Sequence, residues 1–206
     1  MLRFDDVSKS YGSRLVLQRR TGRFAPGAYA LRGPNGIGKS TLLRVLAGVD
    51  EADGGDIVID GHSLRAQPAA AKARLAYAPD ECPVYPFVTG HELLAFVAWA
   101  KGCAIPDKVT RIVERFGLAR HLDTRCGAMS LGTQKKLMLA AAWIGEPAVL
   151  LLDEPSNGLD ADARAVLADL LAAQRDTSVV FMSTHDKAFA DAIGAAEIEF
   201  ETLTDR

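Results

Sequence analysis

Gly33-Pro34-Asn35-Gly36-Ile37-Gly38-Lys39-Ser40-Thr41 decides how the rest of this 206-residue chain is read. The stretch fits G-x-x-x-x-G-K-[ST], the pattern of a phosphate-binding loop. Its glycines let the backbone curl until successive N–H groups point inward at phosphate oxygens. Lys39 carries a mobile positive charge to the β- and γ-phosphates of a nucleotide, and the Ser40 hydroxyl is a small, hard oxygen suited to Mg²⁺. Ala28-Tyr29-Ala30-Leu31, just upstream, reads as a short strand. Thr41-Leu42-Leu43-Arg44-Val45-Leu46-Ala47 reads as a helix, which turns its positive end toward the anion. Strand, glycine loop, helix is the context the motif requires. Alone, the loop says nucleotide; it does not separate kinase, GTPase, motor and transporter.

Composition narrows the class. The chain is 49% hydrophobic and 24% charged, with a net charge of -2, which is ordinary for a soluble globular enzyme of one large domain. Lys+Arg 24 and Asp+Glu 26 nearly cancel, so no nucleic-acid partner is expected. The one local basic excess, Arg14, Arg19, Arg20 and Arg23, is read as a solvated strand edge. Cys82, Cys103 and Cys126 are odd in number and widely spaced, neither a disulfide framework nor a metal signature, which fits a reducing compartment. No basic-then-apolar leader opens the chain. The apolar runs Leu93 to Ala100 and Leu137 to Ile144 are too short to cross a bilayer, so a membrane role must fall to another subunit.

Along the chain, Val7 to Tyr11, Leu15-Val16-Leu17 and Asp56-Ile57-Val58-Ile59 read as strands, with a turn at Asp60-Gly61. The middle reads as helical. Thr89 and Glu92 form a capping box ahead of Leu93, Phe96, Val97 and Ala100 on one face. Val109 to Phe116 is a second helix closed by Gly117, and Leu137, Ala140, Ala141 and Ile144 mark a third. Strand and helix alternation then returns. Val149-Leu150-Leu151-Leu152 and Val179-Val180-Phe181-Met182 are wholly apolar, as parallel strands covered on both faces should be. Val166, Leu167, Leu170 and Leu171 mark a helix between them, and Glu197 to Glu201 an edge strand. The expectation is an α/β nucleotide-binding core interrupted by a helical insertion.

Asp153 and Glu154 follow the first of those buried strands, at the carboxyl end where open α/β sheets bind ligands. Asp153 suits Mg²⁺, and Glu154 a water attacking the γ-phosphate. His185, in Ser183-Thr184-His185-Asp186, follows the next buried strand at the same edge and can hold the phosphate or the water.

Together these elements resemble the ATP-binding cassette (ABC) ATPase family over essentially the whole chain. Ser130-Leu131-Gly132-Thr133-Gln134 resembles its LSGGQ signature, with Met129 where the consensus has Leu. Ser156-Asn157-Gly158-Leu159-Asp160 resembles its D-loop, His185 its switch histidine, and Tyr11 lies where its adenine-stacking aromatic sits. The resemblance implies a P-loop NTPase (RecA-like) core with an N-terminal antiparallel β-subdomain and an inserted α-helical subdomain. The β-subdomain and loop core would fill about 1–80, the helical part about 83–145, and the rest of the core about 146–206. It also implies ATP and Mg²⁺ held between two such domains, identical or not, facing head to tail. Gly36, Gly38, Lys39 and Ser40 of one domain would grip the nucleotide, and Ser130 and Gly132 of the other would complete its γ-phosphate site.

Two departures stand out. Leu131 replaces the signature's first glycine and Thr133 its glutamine. Asp80, in Leu75-Ala76-Tyr77-Ala78-Pro79-Asp80, stands where many members have glutamine; it keeps an oxygen ligand for Mg²⁺ but loses a donor and a methylene. In transporters of the family, the segment after this position receives a helix of the membrane subunit. Tyr85, Phe87 and Val88 would either dock that helix or pin the insertion to the core. The relaxed signature and Asp80 look most like ATPase subunits of bacterial ABC-2-type exporters. The expectation is an ATPase on the cytoplasmic face of a membrane, held there by a separate permease. The alternative is a non-transport ABC ATPase switching a ribosomal, nucleic-acid or protein complex.

Overall fold

The computed structural model describes residues 1–81 and 84–204. Cys82 lies outside them; Cys103 is exposed and Cys126 buried. The chain opens with β1 (Leu2–Tyr11), β2 (Arg14–Phe24), β3 (Gly27–Arg32) and α1 (Lys39–Leu46). It continues through β4 (Gly54–Ile59), β5 (His62–Ser63), α2 (Pro68–Ala73) and β6 (Leu75–Ala78). Three helices follow: α3 (Gly90–Ala100), α4 (Asp107–Arg115) and α5 (Leu131–Ala141). Then come β7 (Val149–Asp153), α6 (Ala161–Gln174), β8 (Val179–Ser183), α7 (Lys187–Ala192) and β9 (Ala196–Glu199).

Among the described residues the strands form two sheets. One is antiparallel, in the order β2-β1-β4-β5; the other is parallel, in the order β6-β7-β8-β3-β9. All five residues of β7 and of β8 are buried, which is why their sequences are continuous rather than alternating. The pleat still sorts them. Val149, Leu151, Val179 and Phe181 pack with α1 and the antiparallel sheet, whereas Leu150, Leu152, Val180 and Met182 pack with the helices on the other face. The parallel sheet is thus the shared wall of two apolar cores. α3, α4 and α5 are inserted between β6 and β7, which are parallel neighbours in the sheet, so the insertion leaves at the cavity edge after β6 and returns at the opposite edge, where β7 begins.

The capping box forms as expected: the Thr89 hydroxyl accepts from Glu92 N at 3.2 Å and the Glu92 carboxylate accepts from Thr89 N at 2.8 Å. Gly117, at φ 66, follows the end of α4. Other bounds differ. β1 reaches back to Leu2, and α5 begins at Leu131 rather than near Leu137, because Ser130 caps it before its apolar face starts. The expected strand to Glu201 stops at Glu199. Phe200 turns inward instead, fully buried, with the Arg20 guanidinium 4.3 Å from its ring centroid and donating to its carbonyl at 3.0 Å. The four arginines all lie on β2, an edge strand, but this inward turn of Arg20 takes it off the solvated face.

Candidate functional site

The parallel sheet delivers the site. β3 leads into the glycine loop, β6 into Asp80, β7 into Asp153 and Glu154, and β8 into Ser183 and His185, four neighbouring strands ending at one edge. Their ends line a cavity of about 600 Å³ that also holds Tyr11, Arg14, Val16, Asn35, Gly36 and Gly38. Lys39, Ser40, Thr41 and Asn157 complete its lining. This is the crevice position that open parallel sheets offer to ligands.

The loop is built for an anion. Gly38, at φ 115, caps α1 without any side-chain hydrogen bond, so the first N–H groups of the helix remain available. A Cβ on Gly38 would meet Val16 Cγ1 at 3.1 Å, so both conformation and space require glycine there. Lys39 is buried, and its ammonium donates to the Gly33 carbonyl at 2.7 Å and to the Pro34 carbonyl at 3.1 Å. These two carbonyls hold the cation at the loop's centre. Ile37 is half-buried against the core beneath, anchoring the loop's outer turn.

Glu154 has φ 44, a left-handed conformation that costs a non-glycine residue about 1 kcal/mol or more. Its backbone N–H is held by the Ser183 carbonyl and hydroxyl, both at 3.1 Å, which offset that strain. Glu154 Oε2 accepts from His185 N at 3.2 Å, and Oε1 lies 3.5 Å from His185 Nε2. The same Nε2 lies 3.4 Å from the Lys39 ammonium. A protonated Nε2 therefore favours Glu154, and an unprotonated one accepts from Lys39, so the imidazole sits between a cation and a carboxylate and answers to both. Arg32 donates at 2.6 Å to the Thr184 carbonyl and pairs with Glu197 at 3.1 Å, which fixes the turn carrying His185.

Asp153 is buried and accepts from the Ser183 hydroxyl at 2.5 Å. Asp80 is spoken for as well: its carboxylate accepts from Lys135 at 3.3 Å. The expectation of a free metal-ligating Asp80 is therefore modified by a partner that the sequence reading did not include. At the other end of the cavity, the Tyr11 hydroxyl donates to Asp50 at 2.5 Å, and Asp50 accepts two bonds from Arg44 at 2.8 Å.

Ser130, Gly132 and Asp160 do not line this cavity. The Ser130 hydroxyl caps α5 by accepting from Thr133 N at 3.2 Å, and Leu131 beside it is 81% exposed. Asp160 caps α6 through Ala163 N at 2.8 Å and pairs with Lys136 at 2.7 Å. A Cβ on Gly132 would meet the Gly158 carbonyl at 3.2 Å, so the two helix starts share a second face. Arg14, Val16, Asn157 and Ser183 line the cavity without having been foreseen as site residues. Arg14 was assigned to the solvated edge; its place just after Tyr11 and the Gly12 turn was the signal.

The donor set fits Mg²⁺. Ser40, Asp153 and Asp80 offer hard oxygens to one cavity, while no cluster of three or more His, Cys, Asp or Glu among the described residues is placed to hold a metal. A cation that keeps its waters and takes most other ligands from phosphate matches that sparse set.

Residues 23–157 match the family model described as ABC transporter. The chain is 34% identical over 173 residues to the phospholipid-transporting ATPase ABCA7 of Homo sapiens, covering 82% of this chain and 8% of that protein. It is 27% identical over 190 residues to the linearmycin resistance ATP-binding protein LnrL of Bacillus subtilis, covering 89% of this chain and 60% of that protein. It thus spans less than two thirds of either relative. A solved structure of the ATP-binding subunit of an ABC transporter superposes with a TM-score of 0.88 at 30% identity, covering 97% of this chain and 85% of that one.

Proposed function

The chain belongs to the ABC transporter family, and from that premise we propose that it binds and hydrolyses ATP to drive transport by a separate membrane permease. The convergence of the glycine loop, Asp153, Glu154 and His185 on one cavity carries the proposal. The loop N–H groups and Lys39 bind and charge-neutralise the phosphates. Tyr11 offers its ring to the base. Ser40 and Asp153, with Asp80, would hold Mg²⁺, which when bound screens the phosphate charge. Glu154 accepts hydrogen bonding from the attacking water, and His185 orients the γ-phosphate end of the site while its contact with Glu154 holds the carboxylate in place. Catalysis is then mostly positioning and charge stabilisation, as phosphoryl transfer generally requires.

Ser130, Gly132 and Asp160 lie on the second face, so in this reading they serve another copy's nucleotide, and two chains close head to tail over two ATP molecules. The chain acts as a single ABC ATPase domain, with α3 to α5 as its helical part. No helix of the described residues is long and apolar enough to cross a membrane. In this reading the domain sits on the cytoplasmic face against the permease, in the manner of an ABC-2-type exporter subunit.

The test is Glu154→Gln. Removing the carboxylate charge should keep ATP binding and slow phosphate release by on the order of a hundredfold or more. The variant should accumulate as an ATP-bound dimer in size-exclusion chromatography. Phosphate release at the wild-type rate would remove Glu154 from its role.

A further inference from the structure

Lys135 is a buried lysine, its side chain only 6% exposed, one turn beyond Ser130 on α5. Its ammonium donates to the Pro79 carbonyl at 3.3 Å, the Asp80 carbonyl at 2.9 Å and Asp80 Oδ1 at 3.3 Å. Three acceptors meet three N–H groups, so the charge is fully satisfied by one short segment. That segment leaves the C-terminal end of β6, and Asp80 lines the nucleotide cavity. The same N-terminal part of α5 begins at Ser130 and Gly132, which do not line that cavity. One buried cation therefore ties the rim of this chain's own site to the helix that serves the other.

We propose that Lys135 is a positioning residue that makes Asp80 and α5 move as one unit, so that occupancy of one nucleotide cavity sets the placement of Ser130 and Gly132 toward the second copy. The inference rests on the two-chain ATP reading above. An ammonium that loses these partners while still buried is left as an uncompensated charge, so α5 cannot shift away from residues 79–80 cheaply. A carboxylate has lone pairs to spare; Asp80, about half exposed, can hold Lys135 through Oδ1 and still accept a ligand on the cavity side. A glutamine at this position would offer Lys135 a neutral oxygen; the carboxylate adds an opposite charge and makes the contact an ion pair, which is stronger. Nucleotide that draws Asp80 inward then draws α5 with it.

The experiment uses the full chain in the Glu154→Gln background. Two quantities are read: affinity for a fluorescent ADP analogue at low protein concentration, and ATP-dependent dimerisation by sedimentation. Lys135→Met removes the charge at similar length. It should raise the ATP concentration needed for dimerisation by about tenfold while changing ADP affinity less than about twofold, and Lys135→Arg should restore dimerisation in part. Asp80→Asn keeps both backbone acceptors of Lys135, so it tests the tie even if Lys135→Met folds poorly. It should weaken dimerisation too, and the double variant should be no worse than Lys135→Met alone. Dimerisation of Lys135→Met at the parent's ATP concentration overturns the tie. So does a parallel fall in ADP affinity and dimerisation, which is what a merely structural lysine gives. A parent that fails to dimerise with ATP instead removes the two-chain reading, and the proposal with it.

Discussion

A phenol ring serves as a face for a purine only while its own orientation is held. At Tyr11 the hold is electrostatic: Asp50 accepts the hydroxyl, Arg44 grips Asp50 with two bonds, and the Lys9 ammonium lies 5.3 Å from the ring centroid. The Arg44 guanidinium holds the Asp50 carboxyl down at about 2, with the Tyr11 hydroxyl adding to the effect, while burial and the Asp50 charge push the Tyr11 hydroxyl up. A carboxyl depressed in the folded state stabilises it above the unfolded value of about 3.9, and that contribution is lost as pH falls toward 2. Asp50→Asn should therefore be less stable than wild type to urea at pH 7, and the gap should close between about pH 4 and pH 2. Other acidic groups, among them Asp60 and Asp160, are depressed as well, so the difference between the two proteins is the informative quantity. A gap independent of pH would show that Asp50 contributes packing and no charge. That Tyr11 lies at the cavity was suggested by its place where the family's adenine-stacking aromatic sits; its hold was not legible, since Asp50 and Arg44 reach it only through the fold.

For secondary-structure elements, the first turn of α5 has two duties that one substitution can separate. Ser130 caps the helix, and in the proposed dimer its hydroxyl meets another copy's γ-phosphate. Aspartate is as good a cap as serine but brings a negative charge to a phosphate site. Ser130→Asp should keep the melting temperature within about 2 °C of wild type, the range expected when a cap is conserved. ATP turnover should fall by on the order of a hundredfold, as for a lost or reversed transition-state contact. Ser130→Ala should do the opposite in stability, losing about 1 kcal/mol with the cap. Equal turnover in Ser130→Asp and wild type would leave Ser130 as a cap alone. Elements of this kind were legible where local chemistry decides them: the glycine loop, the Thr89 capping box, and β7 and β8, whose first four residues are all apolar because both faces are buried. β5, with two residues, and α2, with six, are too short to show a period. The edge-strand reading of β9 ran past Glu199 because nothing local says that Phe200 fills the core. Lys135 escaped for the same reason: a lysine between polar neighbours on a helix looks solvated until the fold brings residues 79–80 against it.

For the whole molecule, the remaining question is where motion at the cavity leaves the chain. The segment before α3 divides its residues. Val88 is packed against the core, and its carbonyl accepts from Cys126 N at 2.7 Å, so it pins the helical part. Tyr85 and Phe87, each 67% exposed, lie with ring centroids 5.6 Å apart and touch water instead. Tyr85 shares an apolar groove with Phe96 of α3, and Phe96 pairs with Trp99, itself 76% exposed, at 6.0 Å. Buried aromatics contribute about 150–250 Å² each, so four left open make a patch larger than solvent contact alone accounts for. The patch begins a few residues beyond Asp80, within one segment of the nucleotide cavity, which is where a permease helix would sense closure. Tyr85→Ser with Phe87→Ser should therefore leave ATP turnover of the isolated chain within about twofold, because neither ring lines the cavity, yet cut recovery of the membrane subunit from detergent extract by about tenfold or more, as removal of central apolar anchors does. Val88→Ser should instead lower the melting temperature and reduce turnover with it, since that side chain holds the insertion to the core. Undiminished recovery of the membrane subunit with the double variant would move the docking surface elsewhere, and co-purification with ribosomal proteins or nucleic acid in place of a membrane protein would replace the transport reading with that of a nucleotide-driven switch.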